Sequence, residues 1–93
     1  MDFEWNPHKA EINYKKHGVS FEEASTVFGD ILSMIYPDPD HSNQEERYLM
    51  IGLSNKKRIL VISHVERNEV IRIISARQAT KREQTFYEQR KLR

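Results

Sequence analysis

The chain has 93 residues, no cysteine, 38% hydrophobic and 31% charged side chains, and a formal net charge of +1. A chain of this length buries roughly 60–65% of its unfolded surface, enough for one core, so residues 1–93 are read as one domain. Without cysteine, disulfides and thiolate metal sites are excluded, and a reducing cytoplasm is the simplest home.

The start, Met1-Asp2-Phe3-Glu4-Trp5, lacks the basic residues and apolar run of a signal peptide. The longest apolar run, Ile59 to Ile62, is too short to cross a bilayer, and no membrane role is expected. Charge is uneven. Residues 1–65 hold seven Lys/Arg against ten Asp/Glu, whereas residues 66–93 hold eight against four. A basic C-terminal third points to nucleic acid or an acidic partner, and equally to a solvated, charged helix.

In chain order, Phe3-Glu4-Trp5 is a short apolar lead-in. Asn6-Pro7 reads as an N-cap followed by proline at the first helical position, predicting a helix to about His17 that stops at Gly18. Ala10, Tyr14 and His17 share one face of it at helical spacing. Lys15, Lys16 and His17 lie in its last turn, where cations complement the helix dipole. Ser20-Phe21-Glu22-Glu23 is a capping box opening a second helix through Phe28, with Phe21, Ala24, Val27 and Phe28 facing inward. Ile31 to Tyr36 reads as a first strand. The loop from Pro37 to Glu46 follows, where two prolines exclude regular structure. Asp38, Asp40 and His41 offer ligands for a hard cation there, although such residues also form turns on their own account.

Arg47–Leu53, Arg58–Val65 and Glu69–Arg77 read as three further strands, and their short connections make them antiparallel neighbours. In the last of them Val70, Ile71, Ile73 and Ile74 fall on both sides of a period of two, so both faces are covered. Arg72 and Arg77 are five residues apart, which in a regular strand places them on opposite faces. Thr80 and Glu83 form a capping box for a final helix from Lys81 to about Arg90, which carries Phe86 and Tyr87. The order is α-α-β-β-β-β-α: an α+β domain with two N-terminal helices, about four antiparallel strands and a C-terminal helix.

No phosphate-cradling glycine loop, metal-ligand cluster or nucleophile elbow is present; Gly18, Gly29 and Gly52 are scattered. What remains is His17 at a helix end, His64 in a strand, Arg67 in a turn and Arg77 at a strand–helix junction. Such groups suit metal-free RNA cleavage. A 2′-hydroxyl attacks the adjacent phosphate, one group takes its proton, another protonates the leaving oxygen, and arginines stabilise the charge on the phosphoryl oxygens. A strand histidine such as His64 equally reads as a packed side chain.

The motifs carry a resemblance. Phe3-Glu4-Trp5-Asn6-Pro7, Lys9, Asn13 and the block Lys16-His17-Gly18-Val19-Ser20-Phe21-Glu22-Glu23-Ala24 resemble the N-terminal half of the BrnT family. Pro39-Asp40-His41-Ser42, Glu45-Glu46-Arg47 and Arg72-Ile73-Ile74-Ser75-Ala76-Arg77 with Ala79-Thr80, Glu83 and Tyr87 continue it in order. Asn6 stands where an Asp is more usual, and either residue caps a helix. The resemblance implies a RelE-like α+β ribonuclease toxin of a type II toxin–antitoxin system, with no cofactor. Its partners would be an RNA substrate and a BrnA-like antitoxin, with DNA reached only through that antitoxin.

Carried onto this sequence, the resemblance nominates Arg67 and Arg77 for the scissile phosphate, Lys16 and His17 for phosphate or proton transfer, and His64 as a further acid or base. Arg72, Lys81, Arg82 and Tyr87 are nominated for RNA binding, Tyr87 by stacking on a base or orienting the phosphate. Arg72 also reads as a strand arginine paired with Glu22, Glu23 or another carboxylate, and Trp5 as core or as a base-stacking ring. The nominated cations are expected to converge on one shallow hollow. The alternatives are a catalytically silent antitoxin-binding module acting in operon repression and a nucleic-acid-binding domain outside any toxin system.

Overall fold

The computed structural model describes residues 1–38 and 45–91, so Asp40 and His41 of the suggested cation loop lie outside the described residues. The elements are β1 (Asp2–Glu4), α1 (Pro7–His17), α2 (Phe21–Thr26) continued by a 3₁₀ turn (Val27–Gly29), β2 (Met34–Pro37), β3 (Tyr48–Leu53), β4 (Ile59–Arg67), β5 (Val70–Gln78) and α3 (Lys81–Lys91). No helix among the described residues is long and apolar enough to cross a membrane.

The helix boundaries follow local chemistry. The Asn6 side chain accepts from the amides of His8 and Lys9 at 2.9 and 3.1 Å, and Gly18 ends α1 with φ of 69° while its N–H reaches the Tyr14 carbonyl at 2.8 Å. The buried face of α1 differs from the one its apolar residues predict. Tyr14 is 57% exposed, and Asn13 is the side chain that turns inward. Its amide pairs with the Ala76 backbone in both directions, at 2.8 and 3.1 Å, and donates to the Val19 carbonyl at 3.1 Å. β1 pairs with β5 only as far as Arg72, so Asn13 serves as the missing strand partner for Ala76.

The sheet order is β1-β5-β4-β3-β2. β3 to β5 form the antiparallel run expected from the short turns, and β2 pairs antiparallel with β3 but spans Met34–Pro37 rather than Ile31 to Tyr36, so Pro37 ends a strand instead of opening a loop. The fifth strand is the apolar lead-in: Asp2, Phe3 and Glu4 pair in parallel with Val70, Ile71 and Arg72, making the sheet mixed. Three residues show no period, and their partner lies at the far end of the chain.

A bulge corrects the expected placement of the arginines. Ser63 faces Ser75 while His64 faces Ile73, leaving Ile74 as an extra residue in β5. Arg72 then lies opposite Val65, and Arg77 opposite Val61. Those valines occupy the same side of β4, so Arg72 and Arg77 share one face of the sheet. Arg67, at the end of β4, points to that same face.

The other face is closed. Leu60, Ile62, Ile71, Ile73 and Ala76 pack on Val19, Phe21, Ala24 and Val27, with Trp5 against Phe21 at 5.9 Å between ring centroids. On the arginine face, a smaller cluster of Ile51, Val61, Ala79 and Tyr87 holds α3 over one end of the sheet.

Candidate active site

Arg77 leaves the arginine face close to the start of α3. Its Nη1 and Nη2 donate to Oε1 and Oε2 of Glu83 at 2.7 and 3.0 Å. Glu83 stays in its capping box as well: Oε1 accepts from the Thr80 amide at 2.8 Å, and the Glu83 amide donates to Thr80 Oγ1 at 3.2 Å. Hydrogen bonding from Arg77 is the main reason the Glu83 carboxyl titrates at about 2. The pair remains open to solvent, with side chains 41% and 24% exposed. Tyr36 belongs to the same cluster. Burial and the nearby Glu83 charge raise its phenol pKa, while Arg77 opposes them. In the sequence Tyr36 reads only as a strand residue; its pairing opposite Leu49, in the row of Ser63 and Ser75, puts it on the arginine face.

The nominated cations do not converge on one hollow. Arg67 is opposite Val70 and Arg77 opposite Val61, six residues apart along β4, or about 20 Å at the rise of a strand. One phosphate cannot contact both. Arg67 forms a two-pronged ion pair with Glu45, both side chains about half exposed, and this pair holds the Glu45 carboxyl below its ordinary range. Arg72 lies between the two. It pairs with Glu4 at 3.6 Å rather than with Glu22 or Glu23. Lys16 and His17, with Lys9, border a depression of about 280 Å³ that reaches Ile74 and Ser75 from the α1 side. Lys81 and Arg82 are exposed in the first turn of α3.

Two nominations fail on burial. His64 is 0% exposed, packed edge-on against Phe28 at 4.9 Å and beside Tyr48 at 5.9 Å, and no substrate can reach it. Both ring nitrogens lack a hydrogen-bond partner among the described residues; the Ile62 backbone favours the charged ring without reaching bonding geometry. Burial pushes the imidazole pKa down. Tyr87 is 2% exposed and its hydroxyl donates to Asp30 Oδ2 at 2.5 Å, so its ring anchors α3 and offers no face to a base. Among the described residues no group of three or more His, Asp or Glu is placed to hold a metal ion.

The result is a small α+β domain with three guanidiniums along one sheet face, each paired with a carboxylate that water reaches: Arg67 with Glu45, Arg72 with Glu4 and Arg77 with Glu83. The sequence pattern of the family described as "Ribonuclease toxin, BrnT, of type II toxin-antitoxin system" matches residues 5–83, and the chain belongs to that family. Its fold is similar to the crystal structure of the Brucella abortus ribonuclease toxin, BrnT, with a TM-score of 0.69 and 23% identity over 87% of this chain and 99% of that one. No curated protein matches.

Proposed function

We propose that this chain is the toxin of its system: a metal-independent, RelE-like endoribonuclease acting in the cytoplasm and held inactive by a BrnA-like antitoxin, which supplies any contact with DNA. The observation that carries the reading is the Arg77–Glu83 pair, bidentate yet open to solvent and within the stretch that matches the family. A phosphodiester offers Arg77 the same two-oxygen geometry as Glu83. When RNA takes the guanidinium, the cause that most depresses the Glu83 pKa is removed, and its carboxylate becomes a better base. Glu83 then accepts the 2′-hydroxyl proton as that oxygen attacks the phosphorus, and Arg77 stabilises the charge gathering on the phosphoryl oxygens. Arg72 and Arg67 hold the RNA backbone further along the strip. Lys16 and His17 line the depression that reaches Ser75 from the α1 side, where they hold RNA backbone beyond that phosphate, and the departing 5′-oxygen takes its proton from water.

The test is cleavage of RNA by the purified protein in EDTA. Arg77→Ala is expected to lose on the order of 100-fold or more in rate while staying folded. Equal activity in that variant removes Arg77 from the site, and a requirement for Mg²⁺ overturns the metal-free mechanism. No histidine carries a proton in this mechanism, so the rate profile should show no inflection between about pH 5 and 8, and an inflection there overturns it. If the wild-type protein cuts no RNA, the silent repression module is the correct reading.

A further inference from the structure

Between β2 and α3 runs a groove of about 450 Å³, lined by Tyr36, Ile51, Arg82, Glu83, Phe86 and Gln89. Its size lies within the roughly 300–1,000 Å³ typical of sites for small ligands. Two of its walls are rings that folding leaves in solvent: Tyr36 is 36% exposed and Phe86 56%. Packing does not explain Phe86. The attachment of α3 runs through Tyr87 to Asp30 and through Gln84, whose Nε2 donates to the Ala79 carbonyl at 3.2 Å. Glu83 lines the groove and also grips Arg77, so one carboxylate separates the groove from that guanidinium.

We propose that this groove is a nucleobase slot, in which the base of a nucleotide whose phosphate meets Arg77 stacks on Phe86 and Tyr36. The proposal rests on the ribonuclease reading and adds what holds the substrate beside the reacting bond. The wall is mostly ring and hydrocarbon with a few polar ends, which is the surface that the flat, apolar face of a base requires. The Arg82 guanidinium supplies donors and can stack in turn. Gln89 offers both a donor and an acceptor to the edge of a base. An apolar peptide segment would use the ring and hydrocarbon wall but would leave Arg82 beside it without a partner.

The test is binding of a labelled 2′-O-methyl oligonucleotide, which cannot be cut by 2′-hydroxyl attack, against a fully abasic oligomer of the same length and charge. Wild-type protein should favour the base-bearing oligomer by about tenfold, the scale of one stacked base. Phe86→Ala and Tyr36→Leu should lose most of that preference while binding the abasic oligomer unchanged, and Phe86→Trp should keep it. Equal binding of both oligomers by wild-type protein, or a Phe86→Ala loss that is the same for both, overturns the slot. So does a Phe86→Ala variant that keeps the preference but no longer co-purifies with the antitoxin, because the groove then belongs to a protein partner. Base preference without RNA cleavage leaves the slot standing and sinks the nuclease reading; cleavage without base preference does the reverse.

Discussion

Glu23 and Glu83 occupy the same place in the same local motif, three residues after a Ser or Thr N-cap, and the protein uses them in opposite ways. The Glu23 amide donates to Ser20 Oγ at 3.0 Å, but its carboxylate turns away and accepts from Arg58 Nε at 3.0 Å and from Ser54 Oγ at 2.7 Å. Arg58 also donates to the Gly18 carbonyl at 3.0 Å, so the corner between α1 and α2 is tied to the turn between β3 and β4. The Glu23 side chain is 1% exposed. Glu83 keeps its capping bond to Thr80 and holds Arg77 where water reaches both partners. Arg58 is 29% exposed, but the buried Glu23 carboxylate cannot lose it without leaving a bare charge in the interior, whereas the Arg77–Glu83 pair can trade carboxylate for phosphate at modest cost. One is a clamp and the other a poised site.

The sharpest way to break this contrast is to remove each guanidinium. Arg77→Ala should cost two or more orders of magnitude in cleavage and lower stability less than Arg58→Ala does, because Glu83 keeps contact with water when it loses its partner. Arg58→Ala should behave inversely. It strands the buried Glu23 carboxylate and should lower stability by about 3 kcal/mol, leaving the cleavage rate per folded molecule intact. Rate and unfolding measured on the same samples decide it; an Arg77→Ala as unstable as Arg58→Ala, or a fully stable Arg58→Ala, erases the distinction.

The caps give a smaller, more discriminating comparison. Ser20→Ala and Thr80→Ala should each cost about 1 kcal/mol of stability. Only Thr80→Ala should also slow cleavage, because losing the bond from the Glu83 amide to Thr80 Oγ1 loosens the helix start that carries Glu83, although the Thr80 amide still holds Oε1. Matching kinetic effects in the two variants would show that the cap does not position the pair.

The smallest expected effect separates the closed face from the open one by pH. His64 is sealed in the closed face with its pKa held below the ordinary 6.5, so the unfolded chain binds more protons as the pH falls below that value. Its contribution to stability is complete above about 6.5 and is lost on acidification. Glu83 follows the same sign in a lower window, from its ordinary 4.5 down to about 2. His64→Leu should flatten the stability curve below about pH 6.5, and an unchanged slope would place the cause elsewhere.

The caps at Asn6, Ser20 and Thr80, the stop at Gly18 and the hairpin run from β3 to β5 were legible in the sequence. Each depends on residues within a few positions of one another. Arg77 at its strand–helix junction was legible for the same reason, since Thr80 and Glu83 announce the helix that follows. The placement of the site was not. Counting residues from Arg72 to Arg77 gives opposite faces, and only the extra residue at Ile74, visible once β5 is laid against β4, returns them to one side. Tyr36 joins the cluster through cross-strand pairing, and His64 and Tyr87 are lost to it because Phe28 and Asp30 lie where no spacing rule could put them.

By itself, then, the order of residues determined the local elements, their polarity and the family, because backbone capping, turn preference and side-chain periodicity act over a few residues. Tertiary structure alone decided that the N-terminal residues form a parallel strand, which face each arginine uses, and which ionisable groups meet water. Those depend on the segment that comes to lie opposite, and a bulge or a burial is a property of two segments together.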